Sequence, residues 1–202
     1  GIWLVIYIGL LSYSFAAFRS IPRIRARAAA VSELYLVNAL ANSAWIFAWH
    51  YRFVLVSVLI MLVIWITLIA IVLRLRRLSR PSWAEWFRVD APFSLYLGWI
   101  TAATLVNFAA LCFDRGMWPL ALSMDQWALV TVCLATGLYA VTTAVTRDVV
   151  FGGVFVWAAL GIATKSSGIT EAVQLAAASG IVVVLVCMAR AIVTRRERRF
   201  YP

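Results

Sequence analysis

The chain has 202 residues, of which 65% are hydrophobic and 13% charged, and its mean hydropathy is +0.95. This composition excludes an ordinary water-soluble domain and predicts membrane helices, because backbone polar groups must be paired within lipid. The net charge of +10 does not indicate nucleic-acid binding, since the basic residues flank apolar runs and form no single face.

Seven apolar runs predict an all-α, polytopic transmembrane bundle of about seven spans. The runs are residues 1–18, 31–50, 53–73, 91–113, 126–145, 149–164 and 170–193. Most of them supply the roughly 20 apolar residues that a helix needs to cross the hydrocarbon core. The run 149–164 is shorter, and it either spans with little tilt, is extended by its neighbours or is partly re-entrant.

Basic residues fill every second gap between the runs. Of the eighteen, fifteen lie in the odd-numbered gaps or in the C-terminal tail, and the even-numbered gaps hold only Arg52, Arg115 and Lys165. Since lysine and arginine stay on the cytoplasmic side, the pattern predicts Gly1 outside and the C-terminus in the cytoplasm. The chain opens inside an apolar run, so we expect that a segment upstream of Gly1 is missing.

Two stripes of aromatic and carboxamide side chains interrupt spans that otherwise carry few polar groups. They are Asn38, Asn42, Trp45 and Trp49 in the second run and Tyr96, Trp99 and Asn107 in the fourth. A polar group at membrane depth needs a partner or a function. The stripes therefore indicate either an aromatic-walled cavity for a flat apolar ligand or asparagines that hydrogen-bond between helices while tryptophan fills space.

The residues offer little for metal or acid–base chemistry. His50, the single histidine, ends the second run and is either a ligand for the central metal of a tetrapyrrole or an interfacial hydrogen-bonding group. Cys112, Cys133 and Cys187 lack metal-ligand spacing. We therefore expect no metal centre and no enzyme activity.

The connection 79–90 is rich in aromatic residues, and the C-terminal runs are rich in small residues. Trp83, Trp86 and Phe87 lie at helical spacing in the connection 79–90 and predict a short amphipathic helix at the membrane interface. The C-terminal runs are rich in small residues, which either bring helices into close contact or reflect the general abundance of such residues in membrane helices. These small residues are Gly152, Gly153, Gly161, Ala172, Ala176 and Gly180.

The spacings of the aromatic residues and asparagines resemble the translocator protein/tryptophan-rich sensory protein family (TspO/MBR). Three segments within residues 1–113 carry the resemblance: IWLVIYIGL with Trp3 and Tyr7, VNALANSAWIFAWHYR with Asn42 and Trp45, and PFSLYLGWITAATLVNF with Trp99 and Asn107. The resemblance implies a longer bacterial form that lacks the family's N-terminal helix. Residues 114–202 would then be additional C-terminal transmembrane helices of the same bundle.

The family implies a helical bundle in the bacterial inner membrane, commonly a homodimer, that encloses a pocket for porphyrins and other flat hydrophobic molecules. Trp3, Tyr7, Asn42, Trp45, Trp99 and Asn107 would line the pocket, and the two stripes add Asn38, Trp49 and Tyr96. We expect a receptor or carrier without a covalent cofactor, whose ligand is a porphyrin, haem or chlorophyll-type molecule. One alternative is an accessory structural subunit of a larger membrane pigment–protein complex, and another is light-driven porphyrin degradation, as attributed to some relatives.

Overall fold

The computed structural model describes residues 1–19, 21–116, 122–165 and 168–200, except for the side chains of 19 and 195–200. Within these ranges the chain is helical with short connections, and they contain no strand. The chain divides into two compact units, Gly1–Gly116 (unit 1) and Met117–Pro202 (unit 2). That 1–113 and 114–202 belong to the same bundle stays a prediction.

Each of the seven apolar runs forms a helix, which confirms the all-α fold. The helices are α1 (Ile2–Arg19), α2 (Pro22–Ala29), α3 (Ser32–His50), α4 (Val54–Arg77), α5 (Trp83–Glu85), α6 (Ala91–Asp114), α7 (Met124–Thr146), α8 (Val149–Ala163) and α9 (Glu171–Phe200). A π-helical turn, Trp86–Asp90, joins α5 to α6. The stretch Trp83–Asp114 is therefore one continuous helix.

Four helices of the described chain are long and apolar enough to cross a membrane: α4, Trp83–Asp114, α7 and the Glu171–Thr194 part of α9. A fifth span results if α1 and α2, which are bent by 117° relative to each other, count as one. The polar residues Glu33, Asn38 and Asn42 make α3 less apolar, and α8 has only 15 residues. The helical membrane fold is confirmed, whereas the count of seven spans stays a prediction for α1, α3 and α8.

The long helices of unit 1 follow one another in the spatial order α3, α4, α6, α1. The central helix α4 packs against α3 on one side and α6 on the other, and α1 packs against α6. Met61, Ile64, Leu68 and Ile71 of α4 are fully buried, and their spacing of three and four residues forms one helix face. The other sides of these helices expose large apolar residues, which lipid accommodates without penalty.

Three aromatic rings join α1, α3 and α6 at the end of unit 1 that carries α2. The ring of Tyr13 lies 4.9 Å from that of Tyr35 and 4.8 Å from that of Phe93, and Tyr35 and Phe93 are 5.7 Å apart. All three contacts are T-shaped, the geometry that aromatic quadrupoles favour. The Tyr13 hydroxyl also donates to the carbonyl of Ala28 in α2 at 3.1 Å. We call Tyr13, Tyr35 and Phe93 the ring trio.

A buried arginine fixes α2 against the rest of unit 1. Arg27 is 5% exposed, and its guanidinium donates to both carboxylate oxygens of Asp90 at 2.6 and 2.7 Å. The same group donates to the carbonyls of Leu75 and Ser79, each at 3.0 Å. Because a helix leaves its last carbonyls unpaired, Arg27 satisfies the end of α4 as well as the charge of Asp90.

Glycines allow the helices of unit 2 to approach closely. The helix α9 packs against both α7 and α8. A Cβ atom on Gly180 of α9 would lie 2.5 Å from Oγ1 of Thr136 and 3.0 Å from the ring of Phe155. A Cβ atom on Gly152 of α8 would lie 2.7 Å from Oγ1 of Thr143. The predicted small-residue contact is therefore present at these two glycines.

The buried face of α9 differs from the predicted stripe. Ala172 is exposed and Ala176 half-buried, whereas Val173, Ala177 and Val184 are buried together with Gly180. A row of residues exactly four apart rotates by about 40° per step around a helix of 3.6 residues per turn, so it leaves the contact face. The stripe of Ala172 and Ala176 was therefore a wrong prediction.

Candidate functional site

Four of the predicted site residues form one ring cluster between α1 and α6. The indole of Trp3 stacks on Tyr7, with ring centroids 5.6 Å apart and planes 25° apart. The same indole meets Tyr96 at 6.3 Å and Trp99 at 6.1 Å in edge-to-face contacts. We call these four residues the Trp3 cluster.

Local sequence explains why these four side chains meet. Trp3 and Tyr7 are four residues apart, and Tyr96 and Trp99 are three apart, so each pair occupies one face of its helix. The two helices approach closely at Gly9, where an added Cβ would lie 3.1 Å from Cβ of Pro92. A side chain at this position would push α1 away from the start of α6.

The Trp3 cluster has a buried base and an accessible rim. Tyr96 is 2% exposed, Trp3 and Trp99 are half-buried, and Tyr7 is 48% exposed. An aromatic surface of this kind can accept a flat apolar molecule against its open ring faces, since offset stacking and edge contacts are both favourable.

The α3 stripe contributes a second aromatic pair. Trp45 and Trp49 stack with centroids 5.8 Å and planes 18° apart. Trp49 is exposed, and Trp45 and Asn42 are half-buried. The Trp45 indole nitrogen is buried and has no hydrogen-bond acceptor within the described chain. An unpaired buried donor of this kind costs free energy.

The side chain of Asn38 joins α3 to α4. It is fully buried, and its amide donates to the carbonyl of Ile64 at 3.0 Å and to the hydroxyl of Thr67 at 2.8 Å. Asn38 thus makes an interhelical hydrogen bond, as the alternative interpretation of the stripes predicts. Because its side chain is fully buried, Asn38 has no surface that a ligand could contact.

Asn107 makes an equivalent connection between α6 and α4. Its side chain is buried, and its Oδ1 atom accepts a hydrogen bond from the Ser57 hydroxyl at 3.1 Å. A third link, which sequence reasoning missed, runs from the Trp65 indole nitrogen to the Thr101 hydroxyl at 3.0 Å. The faces of α4 that turn toward its neighbours are therefore tied by polar bonds as well as by apolar packing.

His50 lies at the opposite end of α3 from α2. Its imidazole is exposed and contacts the ring of Tyr51 edge-to-face at 5.1 Å. The described residues contain no group of three or more His, Cys, Asp or Glu side chains that could hold a metal ion. Coordination of a tetrapyrrole metal by His50 stays a prediction.

Sequence reasoning also missed the ring trio and the role of Arg27. Tyr13 follows Ile6 and Leu10 on the buried face of α1, a spacing that could have identified it. Arg27 was interpreted only as a topological charge. The available signal was Asp90, an acidic residue in a strongly basic connection.

Comparison with known proteins places the chain in a family. No curated protein and no solved structure matches it significantly. A family model described as TSPO-like protein matches residues 1–190, which include all of unit 1 and most of unit 2. The match extends well beyond residues 1–113, on which the sequence resemblance rested. With apolar helices long enough to span a bilayer, the chain is an integral membrane protein that belongs to the TSPO-like protein family.

Proposed function

We propose that the protein is a non-enzymatic receptor or carrier that binds a tetrapyrrole or a similar flat hydrophobic molecule inside the membrane. The observation that carries the proposal is the Trp3 cluster, in which Trp3 contacts both Tyr96 and Trp99 while Tyr7 stays open. An accessible set of rings from two helices offers a flat molecule more stacking surface than isolated tryptophans would.

The heights of the aromatic residues support one shared hollow. The contact between Tyr13 and Tyr35 sets a common level for α1 and α3. Trp3 and Trp45 are each ten residues from that contact, so at a rise of 1.5 Å per residue both stand about 15 Å above it. The hollow we propose has the ring trio as its floor and Trp3 and Trp45 at its two rims.

The same rise per residue gives the heights of the back wall and of the polar groups of this hollow above the ring trio. Tyr96 and Trp99 are three and six residues beyond Phe93, which corresponds to about 5 and 9 Å above the floor. Asn42, seven residues beyond Tyr35, reaches a similar level at about 11 Å. We assign Asn42 to the polar edge of the ligand, and Asn38 and Asn107 to holding the walls.

Ligand binding can be measured by quenching of tryptophan fluorescence with protoporphyrin in detergent. We expect saturable quenching, and we expect that Trp3→Phe and Trp99→Phe each weaken the affinity by about two- to thirteenfold, since an aromatic contact contributes about 0.5–1.5 kcal/mol. Trp157→Phe is the matched control, because Trp157 is a half-exposed tryptophan of unit 2. Quenching that does not saturate, or cluster variants that titrate like the control, would refute the site.

Binding without turnover is part of the proposal. Protoporphyrin that is illuminated with the protein should keep its absorption band. Loss of the band in the light, absent in the Trp99→Phe variant, would instead indicate a photochemical reaction at the same site.

We also propose a bacterial inner-membrane location and a homodimer, as the family resemblance implies. The alternative, an accessory subunit of a pigment–protein complex, rested on the small-residue C-terminal helices and on the lack of any catalytic set of residues in the sequence. Gly152 and Gly180 are occupied by packing within unit 2. Migration as a dimer-sized species on a native gel after mild solubilisation would favour the homodimer over the larger complex.

A further inference from the structure

We propose that the connection between α4 and α6 binds the headgroups of anionic phospholipids. The site consists of Arg77, Arg80, Trp83 and Phe87, which we call the headgroup site. The proposal is independent of the ligand in the Trp3 cluster, because it concerns another part of unit 1 and another class of molecule.

The connection has a large excess of positive charge. Residues 19–33 and 74–90 hold nine arginines and three acids. Two of the acids are already paired internally: Glu85 accepts from Arg23 at 3.0 Å, and Asp90 accepts from Arg27. The arginines of the headgroup site are exposed. Their positive field is therefore not cancelled by these carboxylates.

Two large rings project beside this charge. Trp83 is 78% exposed and Phe87 68%, and their spacing of four residues puts them on one face of the helix. Aromatic rings that are apolar in body and lie next to cations are typical of the membrane–water interface.

Hydrogen bonds hold the segment in this arrangement. The Ser82 hydroxyl accepts from the Glu85 backbone N–H at 3.3 Å, and the Ser82 N–H donates to the Glu85 carboxylate at 2.7 Å, which is a capping box. Arg23 bonds Glu85 and also donates to the carbonyl of Arg80 at 3.4 Å. The backbone of Arg80 and the start of the helix that carries Trp83 and Phe87 are thereby held next to each other.

Helix length locates the headgroup site at the membrane surface. The continuous helix Trp83–Asp114 has 32 residues. At a rise of 1.5 Å per residue it is about 48 Å long, which exceeds the roughly 30 Å of the hydrocarbon core. Since the charged residues Glu85, Arg88 and Asp90 all lie in its first eight positions, that end projects into the headgroup layer. Guanidinium groups there can bind phosphate bidentately.

The test compares two lipids on the reconstituted full chain. Spin-labelled phosphatidylglycerol and spin-labelled phosphatidylcholine are added to the protein in phosphatidylcholine vesicles, and electron paramagnetic resonance gives the fraction of each that is motionally restricted. The test variant is Arg77→Gln/Arg80→Gln. The control is Arg52→Gln/Arg115→Gln, which removes the same charge from exposed arginines at the opposite end of unit 1.

We expect the wild-type protein to prefer phosphatidylglycerol. The test variant should lose this preference by up to about fivefold per arginine, the value expected for basic residues near a membrane surface, while the control keeps it. The wild-type preference should also weaken at 1 M salt, which needs no variant. Equal association of both lipids with the wild type, or equal losses in the two variants, would overturn the proposal, as would binding of an acidic peptide without any lipid preference.

Discussion

The guanidinium of Arg27 connects four separate pieces of unit 1. A buried cation costs several kcal/mol unless it is fully paired, and a bidentate carboxylate with two carbonyl acceptors provides that pairing. Exposed Arg23 bonds Glu85 from the same helix, but its side chain is 62% exposed. Two arginines one turn apart thus contribute very differently to stability.

The substitution Arg27→Met should destabilise the protein by about 3–5 kcal/mol, because it leaves the Asp90 charge in the α2 contact without its main partner. Arg23→Gln, the matched control, should cost less, because the Arg23 side chain is 62% exposed and the buried Glu85 carboxylate keeps its hydrogen bond from the Ser82 N–H. Unfolding by sodium dodecyl sulfate from mild detergent, followed by circular dichroism, measures both. Similar small losses in the two variants would show that α2 is not held by Arg27.

The different burial of two asparagines in α3 could not be predicted from the sequence. Asn38 and Asn42 lie on one face of α3, and the sequence treats them alike. In the structure Asn38 is buried against α4, while Asn42 is half-buried. The difference depends on which residues of α4 lie opposite each asparagine. The spacing of residues along α3 alone does not contain that information.

The helices were predictable wherever one apolar run determines them. The run 53–73 corresponds to the helix α4 (Val54–Arg77), and the run 126–145 corresponds to the helix α7 (Met124–Thr146). The helix α2 was not predicted, since PRIRARAA has no apolar stripe and its position depends on Arg27. The π-helical turn Trp86–Asp90 was also unforeseen, because no residue pattern in the segment signals an extra residue per turn.

Helix contact in unit 2 can be tested at two glycines. Gly180→Ala should destabilise by about 1–3 kcal/mol, the usual cost of overpacking. The neighbouring Thr136 hydroxyl cannot turn away freely, because it donates to the carbonyl of Val132 at 2.8 Å. Gly161→Ala is the control, since a Cβ there meets no atom of the described chain within 4 Å. It should be neutral or stabilising by up to about 1 kcal/mol.

The same detergent unfolding assay compares these two alanine variants. Loss of stability at Gly161 equal to that at Gly180 would mean that helix packing in unit 2 differs from the structure.

The distribution of charge along the chain predicts the topology. With seven spans, we expect the turn at Arg52 to face outward, and the connection at Arg77 and the tail at Arg195 to face the cytoplasm. If α3 did not cross the membrane, Arg27 would have to share the side of Arg52, and its bonds to Leu75, Ser79 and Asp90 would be broken.

Single cysteines placed at positions 26, 52 and 77 in a background without Cys112, Cys133 and Cys187 distinguish these arrangements. An impermeant maleimide applied to intact cells should label position 52 and leave positions 26 and 77 unlabelled until the cells are opened. Labelling of 26 together with 52 would reject α3 as a span.

The candidate site was predictable in part. The pairs Trp3–Tyr7 and Tyr96–Trp99 were predicted from helical spacing. In the structure Trp3 stacks on Tyr7, and its indole contacts both Tyr96 and Trp99. The two pairs lie close together because Gly9 allows α1 to pack closely against Pro92 of α6. The ring trio likewise requires the contact between the rings of Tyr35 and Tyr13. Such contacts join residues far apart in sequence, so composition and periodicity do not specify them.

The pairing of Arg27 also has a consequence for the order in which the chain assembles. Its acceptors follow it by 48, 52 and 63 residues. At a synthesis rate of about 5–20 residues per second, the last of them emerges roughly 3–13 s after Arg27 itself. The helix α2 is therefore synthesised before the acceptors of its arginine, and it reaches its final position only after Asp90 has been made.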